Sequence, residues 1–162
     1  MPSIQNHIPF SFVLASTDSA FGAAKNLFLE YAAALGIDLC FQNFNRELEE
    51  ITIQYNQPVG GLILLTTGPE YIGCVGIRRL ENQVAELKRM YIKPQFRKLG
   101  LGKILLDRAM DLAKDLGYHK IRLDTLVSLT AAVHLYEKAG FKRIEAYYTN
   151  PGQEVLYYEK DI

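Results

Sequence analysis

Cysteine is scarce in this chain, and its pattern excludes one class of site. The two cysteines, Cys40 and Cys74, form no CxxC pair, and the three histidines are scattered: His7, His119 and His134. A structural zinc site needs closely spaced Cys and His ligands, so this spacing excludes one and no metal is expected. Both cysteines are expected to be buried, reduced thiols.

The chain also lacks a charge excess and a long apolar run. Its 18 Lys and Arg residues balance 18 Asp and Glu residues, giving a formal net charge of zero. Nucleic-acid and membrane-surface binders need a broad basic field, so neither partner is expected and any anion site must be local. The start, MPSIQNHIPFSFVLAS, lacks the basic segment and apolar run of a signal peptide. No stretch approaches the roughly 20 apolar residues of a membrane span. We expect a soluble, cytoplasmic protein.

The chain has enough apolar sequence for one core. Its 162 residues are 49% hydrophobic, which predicts a single domain over residues 1–162. Five apolar residues of the first helix recur at helical spacing and are expected to face the core. They are Leu27, Phe28, Tyr31, Ala34 and Leu35.

Hydrophobic periodicity predicts strands and helices in alternation. Asp18 or Ser19 is the expected N-cap of the first helix, and Gly36 is its expected end. The predicted strands are 11–16, 58–67, 71–80, 83–92, 120–126, 141–146 and 154–158, the last two joined across Asn150-Pro151-Gly152. The predicted helices are 20–35, 45–51 (capped by Asn43 or Asn45), 101–116 and 130–139.

The lengths of the connections predict the topology. Strands 58–67, 71–80 and 83–92 are separated by short turns, so they should be antiparallel neighbours. Helix 101–116 lies between strands 83–92 and 120–126, and such a crossover makes those two strands parallel. The fold class is therefore α/β, a mixed sheet with helices on both faces.

The segment PQFRKLGLGK, residues 94–103, is the most informative motif. Gly100 and Gly102 lie between a predicted strand and the start of a predicted helix. The first backbone N–H groups of a helix lack partners and favour an anion. Arg97, Lys98 and Lys103 add positive charge. These residues predict a phosphate site. A simple turn with solvated basic residues is the alternative.

Two familiar phosphate motifs do not fit this segment. A P-loop needs glycine at the position of Arg97 and Ser or Thr at the position of Ile104. A dinucleotide fingerprint needs a third glycine, and that position is Leu105. The phosphate must therefore belong to another class of ligand.

With its flanks, the segment resembles the acetyl-coenzyme A signature of the GCN5-related N-acetyltransferase (GNAT) family. Arg97, Gly100 and Gly102 match R/Q-x-x-G-x-G/A, and Pro94 stands three residues before the basic position. The later segment AAVHLYEKAGFKRIEAYY resembles the second signature of the family. The matching residues are Ala132, Leu135, Tyr136, Gly140 and Phe141.

The resemblance implies a GNAT-like acyl-CoA N-acyltransferase fold with a mostly antiparallel, centrally splayed sheet. It also implies acetyl-CoA as the co-substrate. The pantetheine arm would pair with the backbone of Met90 and Ile92, in the manner of an added strand. The pyrophosphate would bind backbone N–H groups of the signature loop: Arg97, Lys98, Leu99, Gly100, Leu101 and Gly102, with Lys103 at the helix start.

The resemblance also suggests two catalytic residues. Tyr136 matches a tyrosine that protonates the departing thiolate, a role suited to a phenol, although packing beside Leu135 is the alternative. Glu86 matches a glutamate that serves as general base in the histone-modifying branch. It could instead pair with Lys88 or Arg78, and a water chain could replace it.

One position departs from the family pattern. Leu129 stands where many members have Asn, and the neighbouring hydroxyls of Ser128 and Thr130 are candidates to cap the helix or to supply the polar contact to coenzyme A.

The implied reaction is direct attack of an amine on the thioester, through a tetrahedral intermediate held by backbone N–H groups. The acceptor is expected to be a small-molecule amine, and a homodimer is the default assembly. A non-catalytic acetyl-CoA sensor, an interaction scaffold and transfer of a longer acyl group are the alternatives. The expected acceptor residues are Tyr31, Gln42, Asn43, Asn45, Tyr147, Tyr148 and Asn150.

Overall fold

The computed structural model describes residues 9–39, 43–149 and 154–162. Four earlier predictions fall outside these residues: those on His7, Cys40, Gln42 and the turn Asn150-Pro151-Gly152. Within the described part of the chain, no helix is long and apolar enough to cross a membrane.

Seven strands form one sheet in the order β1-β2-β3-β4-β5-β7-β6. Within the residues that the structure describes, five neighbouring pairs are antiparallel, and only β4 and β5 run parallel. The predicted mixed α/β sheet is confirmed. The strands are β1 Phe10–Leu14, β2 Gly61–Thr67, β3 Glu70–Glu81, β4 Val84–Ile92, β5 Lys120–Leu126, β6 Lys142–Ile144 and β7 Val155–Asp161.

Among the described residues, four helices begin and end close to the predicted positions, although the first cap is different, and a further short helix over Ile51–Gln54 was not predicted. They are α1 Asp18–Leu35, α2 Phe44–Glu49, α3 Ile51–Gln54, α4 Leu101–Asp115 and α5 Thr130–Lys138, with a short 3-10 turn over Pro94–Phe96. The prediction of Asp18 or Ser19 as N-cap of α1 is wrong: Thr17 holds that position, and its hydroxyl accepts the Ala20 N–H at 3.1 Å. Gly36 ends α1 in the left-handed region, as predicted.

The two faces of the sheet carry separate parts of the core. On β2, Ile63 packs in the cluster that includes α4, while Leu62 and Leu64 pack in the cluster that includes α1. This alternation places α1 and α4 on opposite faces, as strand geometry requires. Cys74 is a buried free thiol on the α1 face.

The last turns of α1 do not bury all of the residues that were expected in the core. Leu27 and Phe28 are fully packed, but Ala34 is exposed and Tyr31 and Leu35 are only partly buried. The reason is that this end of α1 extends past the apolar core and borders a cleft.

Candidate active site

The central feature of the site is the point where β4 and β5 separate. The two strands pair over Val84–Glu86 and Lys120–Arg122 and then diverge, although β4 continues to Ile92. A bulge lies in the diverging part, because Arg89 and Met90 together oppose Val75 of β3, and Arg89 has a φ of 57°.

The separation opens a cleft of about 440 Å³, here called the cleft. Its wall on β4 includes Met90 and Ile92, the two residues predicted to pair with pantetheine. Both belong to the part of β4 that has no backbone pairing with β5, so this edge can accept an added strand. The remaining walls are α1 and the start of α5: Tyr31, Ala34, Leu35, Ser128, Leu129, Thr130, Ala131, Ala132 and Leu135, with Tyr91 and Arg97 at the β4 end.

The signature loop leads from β4 into the first turn of α4. Gly100 is the N-cap residue with a φ of 77°, and Lys98 also has a positive φ of 63°. Leu101 is buried against Leu65 and Ile72, which fixes the start of the helix on the sheet. The first N–H groups of α4 have no partner within the helix, so they form a natural anion site.

The predicted phosphate ligands of this loop differ in their availability. The Arg97 N–H already donates to the Pro94 carbonyl at 3.2 Å, and its side chain donates to the Ile92 carbonyl at 2.8 Å. Lys103 pairs with Asp107 at 2.7 Å on the exposed side of α4. A Cβ at Gly102 would lie 3.5 Å from Leu135 and 4.0 Å from Ile92, while the Leu99 side chain projects outward at 57% exposure. The N–H groups from Lys98 onward therefore fit an anion better than that of Arg97.

The start of α5 differs from the expectation for its cap. Leu129 is the N-cap residue, and no side chain makes a capping hydrogen bond, so neither Ser128 nor Thr130 caps this helix. Both hydroxyl residues instead line the cleft beside Leu129.

Tyr136 lies behind the cleft in a smaller space of about 50 Å³, here called the inner cavity. The inner cavity shares Met90, Leu129 and Ala132 with the cleft, so the two adjoin. The Tyr136 ring packs edge-on against Phe141 at 5.8 Å, and burial raises the pKa of its phenol well above the usual range. The hydroxyl therefore stays protonated and available as a donor.

Glu86 lines a different space of about 420 Å³, here called the tyrosine pocket. Its carboxylate is buried and accepts hydrogen bonds from Arg78 at 3.0 Å and from the Tyr147 hydroxyl at 2.8 Å. The structure thus pairs Glu86 with Arg78, one of the two partners considered from the sequence. The lining residues are Asn43, Arg78, Leu80, Glu86, Lys88, Tyr147, Tyr148 and Thr149.

The expected acceptor residues fall into two groups. Asn43, Tyr147 and Tyr148 line the tyrosine pocket, whereas Tyr31 borders the cleft and the inner cavity. Burial raises the pKa of Tyr31 to about 12, so its hydroxyl is neutral. Asn45 is exposed on α2 and lines neither space.

A buried network of charges beside the inner cavity was not predicted. Arg89 makes two hydrogen bonds to Glu47, at 2.8 and 3.0 Å, and Lys88 pairs with Asp124 at 3.3 Å. All four residues are at most intermediate in exposure. The available signal was the adjacent pair Lys88-Arg89 inside a mostly apolar strand, because an ordinary alternating strand does not bury adjacent cations.

Comparisons with known proteins point to one family. A model of the acetyltransferase (GNAT) family matches residues 28–141. An uncharacterized N-acetyltransferase of Schizosaccharomyces pombe is 39% identical over 137 residues, covering 82% of this chain and 83% of the relative.

Solved structures show the same fold. A GNAT-family acetyltransferase from Staphylococcus aureus aligns with a TM-score of 0.79 and 21% identity, over 94% of this chain and 99% of that one. A second, from Elizabethkingia anophelis with acetyl-CoA bound, aligns with a TM-score of 0.66 and 19% identity, over 94% and 98% of the two chains.

Proposed function

Because this chain belongs to the GNAT acetyltransferase family, we propose that it transfers an acetyl group from acetyl-CoA to the primary amine of a small molecule, by direct attack in a ternary complex. The observation that carries the proposal is the cleft: it is bordered by an unpaired strand edge and by Arg97 of the signature loop, and it adjoins the inner cavity that Tyr136 lines.

The start of α4 and the neighbouring cleft suit two successive parts of coenzyme A, the pyrophosphate and the pantetheine arm. The N–H groups at the start of α4 suit the pyrophosphate, because Gly100 has no side chain in front of them and its left-handed backbone starts the helix. The edge at Met90 and Ile92, which β5 leaves unpaired although the Ile92 carbonyl accepts a hydrogen bond from the Arg97 side chain, suits the amide-rich pantetheine arm. When bound, acetyl-CoA supplies an activated thioester.

Tyr136 is proposed as the acid of the reaction. It lines the inner cavity that continues the cleft, and its raised pKa keeps the proton on the oxygen until a thiolate forms nearby. Glu86 is proposed as the base, acting across the tyrosine pocket. Its hydrogen bond from Tyr147 gives the proton of the amine a route to the Glu86 carboxylate. The tyrosine pocket also adjoins the inner cavity, because Lys88 lines both.

The first test replaces the acid. Thiol release from acetyl-CoA is measured with a panel of primary amines, for the wild type and for Tyr136→Phe. We expect amine-dependent release, with kcat lowered about 100-fold in the variant and acetyl-CoA affinity unchanged.

The matched control is Tyr158→Phe. The Tyr158 hydroxyl is also buried and donates to Glu137 at 2.8 Å, but the residue lines neither the cleft nor the inner cavity. If both variants lose the same activity, Tyr136 is only a packing residue. If the wild type binds acetyl-CoA but no amine releases thiol, the sensor alternative replaces the enzyme.

A further inference from the structure

Two carboxylates lie near the separation of β4 and β5, and they face different spaces. Glu86 lines the tyrosine pocket, whereas Asp124 of β5 lines the inner cavity together with Tyr136 and Met90. Both oxygens of Glu86 are engaged, one by Arg78 at 2.9 Å and the other by Tyr147 at 2.8 Å. Of the two carboxylates, it is Asp124 that lines the same space as Tyr136, the proposed acid.

Asp124 lies at the point where β4 and β5 part. Backbone pairing between β4 and β5 ends at Glu86 and Arg122, and the next side chains across the opening are Lys88 and Asp124, which form an ion pair at 3.3 Å. The backbone of Asp124 pairs with Tyr157 of β7, so the carboxylate is carried by a regular strand.

The ion pair is costly to bury, which argues for a role beyond stability. The side chains of Lys88 and Asp124 are only 4% and 11% exposed, and the desolvation of two charges offsets most of their attraction. Burial alone would raise the pKa of Asp124, but the Lys88 ammonium and a hydrogen bond from Tyr148 outweigh it and hold that pKa below its usual value. The lowered pKa keeps Asp124 ionised at neutral pH, and its charge faces an inner cavity that Lys88 and Arg89 also line.

We propose that Asp124 binds the amino group of the acceptor and stabilises the positive charge that develops on its nitrogen during attack. This inference rests on the proposed acetyl transfer. It assigns the amino group to the inner cavity, beside Tyr136, and leaves the tyrosine pocket to the rest of the acceptor.

The step balances with the groups present. The nitrogen bonds to the thioester carbonyl carbon, the C–S bond breaks, and the sulfur takes the proton of the Tyr136 hydroxyl. The nitrogen, cationic while it carries an extra proton, releases that proton through the Tyr147 hydroxyl to Glu86, the base proposed above, and solvent returns a proton from Glu86 to the Tyr136 phenolate. The net result is that a proton of the amine ends on the thiol, while Asp124 remains ionised throughout.

The test is steady-state acetyl transfer to two probes: hydroxylamine, which is small enough to need no further recognition, and the best primary amine of the panel. For Asp124→Asn we expect kcat/KM for either probe to fall about 100-fold, as when one preorganised electrostatic group is lost. The dissociation constant of acetyl-CoA should be unchanged, because Asp124 lines the inner cavity and not the cleft.

Loss of folding has to be separated from loss of chemistry, since Asp124→Asn leaves the Lys88 ammonium buried without its carboxylate. The double variant Lys88→Met/Asp124→Asn removes both charges and should recover the melting temperature while remaining as inactive as the single variant. Glu159→Gln is the matched control. Glu159 of β7 forms an ion pair at 3.1 Å with Arg122, which lies on the same strand as Asp124, but Glu159 lines neither the inner cavity nor the tyrosine pocket. This variant should keep wild-type kinetics.

The outcomes distinguish two failures. If the wild type transfers acetyl groups but Asp124→Asn keeps its kcat and KM, or the double variant regains turnover, the role of Asp124 is overturned. If the wild type transfers to neither probe while it binds acetyl-CoA, the proposed function itself fails, and the inference falls with it.

Discussion

At the scale of single residues, Gly100 shows how one backbone angle supports binding. A Cβ at this position would meet no atom within 4 Å, but the φ of 77° is one that side-chain-bearing residues adopt only with strain. The requirement for glycine is therefore conformational and not steric.

We predict that Gly100→Ala lowers the free energy of unfolding by about 1 kcal/mol and weakens acetyl-CoA binding, because relief of the strain would turn the first N–H groups of α4. Gly22→Ala is the control, since it also faces open space but lies within α1 without a positive φ, and it should be neutral or stabilising. Calorimetry of binding and thermal unfolding of both variants check this. Equal effects would contradict it.

Met90 determines, at the same scale, how much room an acyl group has. Its side chain lines the inner cavity of about 50 Å³ together with Leu126, which suits an acetyl group better than a longer chain. We predict that Met90→Ala raises the ratio of butyryl-CoA to acetyl-CoA turnover about tenfold, the usual effect of a methylene or two in a pocket.

Met110→Ala is the matched control for Met90→Ala, because Met110 is also partly buried against the same core but lines neither space. Its turnover ratio should equal that of the wild type. A wild type that already uses butyryl-CoA as well as acetyl-CoA would contradict this account of acyl selectivity and favour transfer of longer acyl groups.

At the scale of elements, α2 is tied to the bulge of β4 by a buried ion pair. Glu47 of α2 accepts hydrogen bonds from Arg89 at the bulge and from the Tyr55 hydroxyl at 2.8 Å. Burial alone would raise the pKa of Glu47, but Arg89 outweighs it and lowers that pKa. The pair therefore fixes the strand conformation that opens the cleft.

We predict that Glu47→Gln lowers the free energy of unfolding by about 3 kcal/mol at neutral pH, since it leaves Arg89 buried without its counter-charge. A depressed folded-state pKa adds stability above the unfolded value of about 4.3, and this stability is lost as the pH falls through the folded value. The difference between wild type and variant should thus shrink below about pH 4. Urea titrations at several pH values measure it, and a constant difference would contradict it.

The elements themselves were largely predictable from the sequence, and the exceptions have physical causes. Periodicity located α4 and β5 almost to the residue, because each has a regular buried stripe. The cap at Thr17 was missed since several adjacent residues of TDS can cap a helix. The bulge at Arg89 was missed because nothing in ELKRM marks a residue with positive φ.

At the scale of the whole molecule, the sequence predicts which consecutive strands pair with each other, but not the place of every strand in the sheet. The antiparallel run β2-β3-β4 and the parallel pair β4–β5 were predicted from connection lengths. The placement of β7 between β5 and β6 was not, because a hairpin-like connection leaves open which of its strands faces the sheet.

The candidate site was predictable to a similar degree. The signature loop and Tyr136 were named from two motifs; Arg97 of that loop lines the cleft, and Tyr136 lines the adjoining inner cavity. The Lys88–Asp124 pair was not named, since its two residues lie on separate strands and meet only after the sheet has formed. Contacts of this kind depend on register, which the sequence of either strand alone does not specify.

The most direct test of the central claim follows the acetyl group itself. Acetyl-CoA labelled in the acetyl carbon is incubated with the protein and an accepted amine, and labelled amide and free thiol are both counted. We predict that the two appear in equal amounts, that neither forms at an enzymatic rate without the amine, and that no label stays on the protein. Thiol release without labelled amide, or stable label on the protein, would contradict direct transfer to an amine.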